Sequence, residues 1–372
     1  MKKNKQFKVV IIIGTRPEAI KMCPVIYELR KMSSKFKTVI IVTGQHKEML
    51  TQILDVFKIE PHYNLNVMEK NQSLARLTEK VIPALEKIII KVKPDIMLVQ
   101  GDTTTSFVAS LVAYYHKIMI AHVEAGLRTF KRYYPFPEEI NRKLISVLCD
   151  IHFAPTQSAA DNLIREGVPQ GKINITGNTV IDALFYVLEN FKNKWTGFQD
   201  NSNRQILLTA HRRENFGEPL RNICQAIKQL INQYKDIEVT YPVHKNLNVR
   251  GEISEQLSGL ERVNLIEPLD YFKFVNLMND SYLILTDSGG IQEEAPSLGK
   301  PVLVLRNETE RPEAVAAGTV ILVGTDTDSI VKEASIILDN EDVYFQMANA
   351  INPYGDGKAS KRIVERILSN LN

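Results

Sequence analysis

Val9-Val10-Ile11-Ile12-Ile13 runs directly into Gly14-Thr15-Arg16-Pro17-Glu18, and an amphipathic stretch follows over Ala19–Lys31. Five consecutive β-branched residues suit a strand buried on both faces of a parallel sheet. Proline suits a first helical turn, because its missing N–H has no partner to lose there. The segment therefore predicts a buried strand, a tight turn and a helix, the first unit of an α/β sheet. The basic start Met1-Lys2-Lys3-Asn4-Lys5 resembles the head of a secretory signal. The apolar run behind it is too short for one, and a turn follows at once.

The same grammar repeats on either side of a polar stretch. Thr38–Val42 precedes a helical pattern over Lys47–Phe57, and Ile96–Gln100 precedes Ser106–Tyr115 and then Ile118–Val123. Further on, Ile206–Thr209, Glu238–Tyr241, Val263–Ile266, Leu283–Thr286 and Pro301–Leu305 read as strands with helices between them. Strand–helix alternation implies right-handed βαβ units. The fold class expected is α/β, with two doubly wound Rossmann-like domains facing a cleft. Lys192–Arg204 is polar and loop-like, and a hinge near Gly167–Gly177 is the alternative. We place the domains at 1–172 and 173–358. A C-terminal helix over 359–372, with Ile363, Val364, Ile367 and Leu368 at helical spacing, is expected to pack on the N-terminal domain.

Composition narrows the function. A chain of 372 residues exceeds the usual size of one domain. Forty-six basic residues against 43 acidic ones leave a net charge of only +3, which disfavours a nucleic-acid partner. No apolar run reaches the ~20 residues of a membrane helix, so no membrane partner is expected. Cys23, Cys149 and Cys224 are widely spaced and odd in number, which points to buried reduced thiols and a cytoplasmic setting.

Ligands of open α/β sheets gather at the carboxyl ends of strands. Arg16 and Lys21 there flank a helix start, a natural anion site. Asp102 follows the strand Ile96–Gln100, and Glu124 follows Ile118–Val123. Pro135-Phe136-Pro137-Glu138-Glu139 adds two more carboxylates. Each alone is as readily a helix cap or dipole partner; together they can supply an acid and a base. In the second half, His211 and Arg213 follow Ile206–Thr209, and His244 follows Glu238–Tyr241. Asp287-Ser288-Gly289-Gly290 leads into a helix with Glu293 and Glu294, a turn able to bring backbone N–H groups to a phosphate. Arg306 and Arg311 lie near Glu308 and Glu310. No phosphate-loop or dinucleotide fingerprint is present, and the seven histidines show no metal-ligand spacing, so no cofactor or metal is expected.

Taken together, these stretches resemble the bacterial non-hydrolysing UDP-N-acetylglucosamine 2-epimerases. The matching strings include Gly14-Thr15-Arg16-Pro17-Glu18, Gln45-His46, Gly101-Asp102-Thr103-Thr104-Thr105 and His122-Val123-Glu124-Ala125-Gly126-Leu127-Arg128-Thr129. They continue with Pro137-Glu138-Glu139, Thr209-Ala210-His211-Arg212-Arg213-Glu214-Asn215, Asp287-Ser288-Gly289-Gly290-Ile291-Gln292-Glu293-Glu294 and Asn352-Pro353-Tyr354-Gly355-Asp356-Gly357. The resemblance covers nearly the whole chain.

The resemblance implies the glycosyltransferase-B architecture. It implies interconversion of UDP-N-acetylglucosamine and UDP-N-acetylmannosamine without nicotinamide or metal, supplying N-acetylmannosamine for cell-surface polysaccharide. The route is elimination of UDP to 2-acetamidoglucal and re-addition. It casts Asp102, Glu124 and Glu138 as acid/base groups and His211 as a catalytic or diphosphate-stabilising group. Substrate contacts are implied for Arg16, Lys21, His244, Ser288, Gly289, Gly290, Glu294 and Arg311, with Phe274 near the uracil. A core position is the alternative for Phe274. Where some members carry Gln, this chain has Leu269. A second, activating site is implied at Gln45, His46 and Arg213, and a homodimer is implied as well. The competing functions are a hydrolysing epimerase, an epimerase of another UDP-2-acetamido sugar, a glycosyltransferase and a non-catalytic sensor.

Overall fold

The computed structural model describes residues 6–44, 47–69, 72–191, 203–243 and 247–371. The chain divides into two compact units, Met1–Ala183 with Tyr354–Asn372, and Leu184–Pro353.

Unit 1 is a parallel sheet of β1 (Phe7–Ile13), β2 (Phe36–Val42), β3 (Tyr63–Asn64), β4 (Ile96–Gln100), β5 (Met119–Val123), β6 (Ile151–Ala154) and β7 (Ile173–Ile175). Between them run α1 (Arg16–Lys31), α2 (Lys47–Val56), α3 (Leu74–Val92), α4 (Thr104–Tyr115), α5 (Glu138–Leu148) and α6 (Gln157–Arg165), and α7 (Thr179–Phe191) follows. The strand order is β3-β2-β1-β4-β5-β6-β7. Val9 to Ile13 are fully buried, as the opening run requires of a central strand, and each such side chain contributes roughly 2 kcal/mol of burial. Val10 and Ile12 pack with Val81, Leu85, Val99, Val108 and Val112 in one core.

Unit 2 repeats the plan. Its strands are β8 (Arg204–Thr209), β9 (Ile237–Pro242), β10 (Val263–Ile266), β11 (Leu283–Thr286), β12 (Val302–Val304) and β13 (Val320–Leu322). Its helices are α8 (Glu218–Gln233), α9 (Leu247–Leu257), α10 (Tyr271–Asp280), α11 (Gly289–Glu294), α12 (Pro312–Ala316), α13 (Thr327–Asp339) and α14 (Glu341–Ala348). The parallel order is β10-β9-β8-β11-β12-β13, with Ile206 and Leu208 of β8 buried against Ile223 and Ile227 of α8.

In each sheet the connectivity reverses direction once, between β1 and β4 in unit 1 and between β8 and β11 in unit 2. A crevice at the carboxyl ends of the strands opens at such a reversal, and it is where open α/β sheets bind ligands.

The last helix, α15 (Ala359–Leu371), belongs to unit 1, where it packs on α1 with Ile363, Val364 and Ile367 buried. The units divide after Ala183 and after Pro353, beside the boundaries read from sequence at 172/173 and 358/359. Local bonds account for the offset. Asn178 N–H donates to the Tyr354 carbonyl at 2.6 Å, and the Asp182 carboxylate accepts from the backbone N–H of Ser360 at 2.8 Å and Ala359 at 3.2 Å. These tie residues 173–183 and 354–358 to unit 1. The three cysteines are buried and unpaired. Among the described residues, no helix is long and apolar enough to cross a membrane.

Candidate active site

The turn after β1 is built around Glu18. Thr15 caps α1, and the Glu18 carboxylate accepts from the Gly14 N–H at 2.9 Å and the Thr15 N–H at 2.5 Å. Its other oxygen accepts from the hydroxyls of Thr103 at 2.7 Å and Ser106 at 2.8 Å, on the far side of the switch point. Burial pushes the Glu18 carboxyl up, while hydrogen bonds from Thr103, Thr15 and Ser106 pull it down. Gly14 is needed because a Cβ there would meet Thr105 Oγ1 at 2.7 Å. The anion site expected at this helix start is thus filled from within by Glu18. Arg16 is exposed on the first turn of α1.

Lys21, a turn and a half further, pairs with Glu124, its Nζ 2.7 Å from Oε1 and 2.6 Å from Oε2. The Gln100 amide also donates to Glu124 Oε2. Glu124 sits at φ 67°, a left-handed backbone that a residue with a Cβ adopts at a cost and that clusters at functional positions. Gly126 follows at φ 90°, where a Cβ would lie 2.1 Å from the Ala159 carbonyl oxygen. Asp102, at the end of β4, accepts from Arg142 Nε at 2.8 Å, and Asn141 Nδ2 donates to its carbonyl at 2.9 Å. His122 Nε2–H donates to the Gly101 carbonyl at 2.6 Å and so pins the same turn. Burial pushes His122 down to about 3, the bond to Gly101 only partly opposing it. Burial, with the charges of Lys172 and Arg128, lowers His152 on β6 to about 4.

The two neighbouring glutamates separate. Glu139 is buried and receives the backbone N–H groups of Thr129 at 3.0 Å and Phe130 at 3.1 Å, so it anchors the preceding loop. Glu138 opens α5 with Oε2 buried and no hydrogen-bond partner for it among the described residues.

In unit 2, β8 ends beside β11, and Asp287 lies between their turns, fully buried. Asp287 Oδ2 accepts from the backbone N–H of His211 at 2.7 Å and of Arg212 at 2.8 Å, and from Asn215 Nδ2 at 3.1 Å. The His211 ring is partly exposed, with Nδ1 3.4 Å from Asp287 Oδ1. Ser288, Gly289 and Gly290 begin α11. A Cβ built on Gly289 would stand 3.8 Å from both Arg212 Nη2 and Arg311 Nη2, so two guanidiniums overlook that glycine. Arg311 is held by Nε donation to buried Glu293. Arg306 is buried and pairs with Glu214 at 2.7 Å and Glu310 at 2.6 Å, a structural role. Burial favours the neutral form of Glu310, but Arg306 outweighs it and brings the carboxyl down to about 2. Glu294 accepts from the Tyr271 hydroxyl at 3.1 Å, and Phe274 is half-buried on α10.

The structure thus brings Lys21 and Glu124 together after β5, sets Asp102 after β4 and Glu138 at the start of α5, and brings His211, Ser288, Gly289, Gly290 and Arg311 to the switch point of unit 2. Gln45, His46 and His244 lie outside the described residues, and so does the Arg213 side chain. Sequence reading gave no role to Gln100, Arg142, Glu18, Glu293 or Asp287. Gln100 carried one usable signal, a polar residue closing an otherwise apolar central strand. Among the described residues, no group of three or more His, Cys, Asp and Glu side chains is placed to hold a metal ion.

A family model described as UDP-N-acetylglucosamine 2-epimerase matches residues 28–368. A UDP-N-acetylglucosamine 2-epimerase of Bacillus subtilis is 50% identical over 364 residues, spanning 98% of this chain and 96% of its own. The crystal structure of UDP-GlcNAc 2-epimerase from Neisseria meningitidis bound to UDP-GlcNAc aligns with a TM-score of 0.88 at 51% identity, covering 98% of this chain and 100% of that one. The glycotransferase of kitacinnamycin, only 11% identical, aligns at a TM-score of 0.65 over 99% of this chain and 100% of its own, a likeness of fold alone. Two Rossmann-like units in the glycosyltransferase-B architecture are common to these chains.

Proposed function

Because this chain belongs to the UDP-N-acetylglucosamine 2-epimerase family, we propose that it inverts C2 of UDP-N-acetylglucosamine to give UDP-N-acetylmannosamine, reversibly. The C2 hydrogen is poorly acidic, so the C1–O bond must break as the proton leaves. The bond's electron pair departs with UDP, a carboxylate takes the C2 proton, and a C1=C2 bond forms in 2-acetamidoglucal. An acid then returns a proton to C2 from the opposite face while the UDP oxygen attacks C1. Nothing is oxidised and the atoms balance.

The residues divide between the two halves of that chemistry. Unit 2 holds the diphosphate, through the guanidiniums of Arg212 and Arg311 over Gly289 and the N–H groups at Ser288-Gly289-Gly290. Glu294 takes the ribose hydroxyls, and Phe274 and His244 complete the substrate contacts. Unit 1 supplies proton transfer through Asp102, Glu124 and Glu138, with Arg16 and Lys21 as cationic contacts. His211 protonates or stabilises the departing UDP oxygen. The observation carrying this reading is Glu124, which carries both an ammonium and an amide partner at a strained backbone position.

Proton and phosphorus NMR of the products tests it. An intact second UDP-sugar at equilibrium with UDP-N-acetylglucosamine is expected. Free N-acetylmannosamine with UDP would indicate the hydrolysing reaction, and turnover only of another UDP-2-acetamido sugar would move the substrate.

A homodimer is part of the same proposal. Ile90 on α3, Tyr114 and Tyr115 on α4 and Leu144 and Val147 on α5 are exposed apolar side chains near the ends of adjacent helices. Light scattering should give twice the chain mass, and Val147→Glu should halve it; a monomer at micromolar concentration refutes the dimer.

A further inference from the structure

We infer that Asp287 is a positioning residue that sets the imidazole of His211 for the reaction, an inference that rests on the role given to His211 above. Asp287 comes directly after β11, and its own N–H donates to the Thr209 carbonyl at the end of β8 at 3.0 Å. The carboxylate is therefore locked to both central strands of the unit 2 switch point. Three N–H donors, from His211, Arg212 and Asn215, converge on Oδ2. Asn215 is buried and also donates to the Leu305 carbonyl at 3.2 Å, which fixes the carboxylate from a third strand end. The buried hydroxyls of Thr209 and Thr286 meet at 2.6 Å beneath it.

With Oδ2 saturated, Oδ1 is the oxygen left over. It is buried, has no hydrogen-bond partner among the described residues, and stands 3.4 Å from His211 Nδ1. A short inward movement of the ring closes that gap; catalytic hydrogen bonds are often long without substrate and tighten with it. An anionic acceptor facing Nδ1 selects the tautomer with the proton there. It also stabilises the imidazolium and leaves Nε2 to exchange a proton with the ligand. The chain supplies the same carboxylate as anchor of Arg212, whose guanidinium overlooks Gly289. One buried group thereby coordinates the histidine and one of the two diphosphate cations.

Asp287→Asn is the informative change. Its amide oxygen must face the three N–H donors, so its NH2 faces Nδ1 and selects the opposite tautomer. We expect kcat to fall about 100-fold or more, as for a misoriented histidine in a hydrolase triad. KM for UDP-N-acetylglucosamine and Kd for UDP should stay within about threefold, since the diphosphate groups remain. Asp287→Asn added to His211→Gln should cost nothing further. Turnover of Asp287→Asn near the wild-type rate, or losses that multiply in the double variant, would overturn the inference. An active His211→Gln would instead overturn the role of His211 itself, so the two failures read differently. Should Asp287→Asn not fold, nitrogen-15 NMR of His211 in the wild-type chain with UDP decides. A protonated Nδ1 is expected, and a bare Nδ1 refutes the inference.

Discussion

The two switch points share one topology and carry opposite chemistry. Between β1 and β4, the turn amides are claimed by the protein's own Glu18, and the groups brought to the strand ends are carboxylates with cations or amides attached. Between β8 and β11, the carboxylate Asp287 is bonded to the turn from within, and two guanidiniums overlook Gly289. Sheet order fixes where a ligand can bind. Whether the turn's N–H groups are used internally decides what that place can do. A turn whose Gly14 and Thr15 N–H groups are taken by Glu18 offers those amides to no phosphate, whereas a turn backed by Asp287 keeps the Gly289 end beside two guanidiniums.

That contrast separates the effects of substitutions. The largest are expected in unit 1, where Glu124→Gln and Asp102→Asn should each lower kcat by about 10²- to 10⁴-fold, the range of a lost acid or base. Kd for UDP, by calorimetry, should move less than about threefold in both. Smaller and of the other kind, Arg311→Ala should weaken UDP binding about 10- to 100-fold, the scale of charge-assisted bonds to phosphate. If Glu124→Gln weakens UDP and Arg311→Ala does not, the division between the units is wrong.

A third effect is on stability. His122 and His152 in unit 1 lie at about 3 and about 4 when folded, below the ordinary 6.5. The unfolded chain binds protons first as pH falls, so stability is full above 6.5 and declines down to the folded values. The loss is about 1 kcal/mol per pH unit for each histidine within that window. In unit 2, Glu310 at about 2 acts lower on the scale, its stabilisation intact above 4.5 and lost as pH falls through 2. Hydrogen exchange, corrected for intrinsic rates, should therefore show β5 and β6 opening more at pH 5 than at pH 7, with β8 and β11 changing less. Equal change in both sheets would refute this.

Much of this was legible in the sequence. Val9–Ile13 and Ile96–Val99 are continuous apolar runs, and the strands they form are central in their sheet. Carboxylates just past the strands of the first sheet, and His211 just past a strand of the second, could be placed at strand ends without coordinates. Three things escaped. β3 has two residues and leaves no periodic trace. Glu138 and Glu139 are chemically identical neighbours, and only the fold shows that Glu139 holds Thr129 and Phe130. Glu18 read as a helix-start residue, because its hydroxyl donors Thr103 and Ser106 are 85 and 88 residues away in the chain. Long-range partners of buried carboxylates have no local signature, and they decide here which amides a ligand can reach.

Turnover of UDP-N-acetylglucosamine in deuterated water tests the central claim most directly. Removal and return of the C2 proton by unit 1 carboxylates requires deuterium at C2 of the UDP-N-acetylmannosamine formed, and then of the recovered substrate, read by mass and proton NMR. An epimer formed with its C2 hydrogen intact would contradict the account.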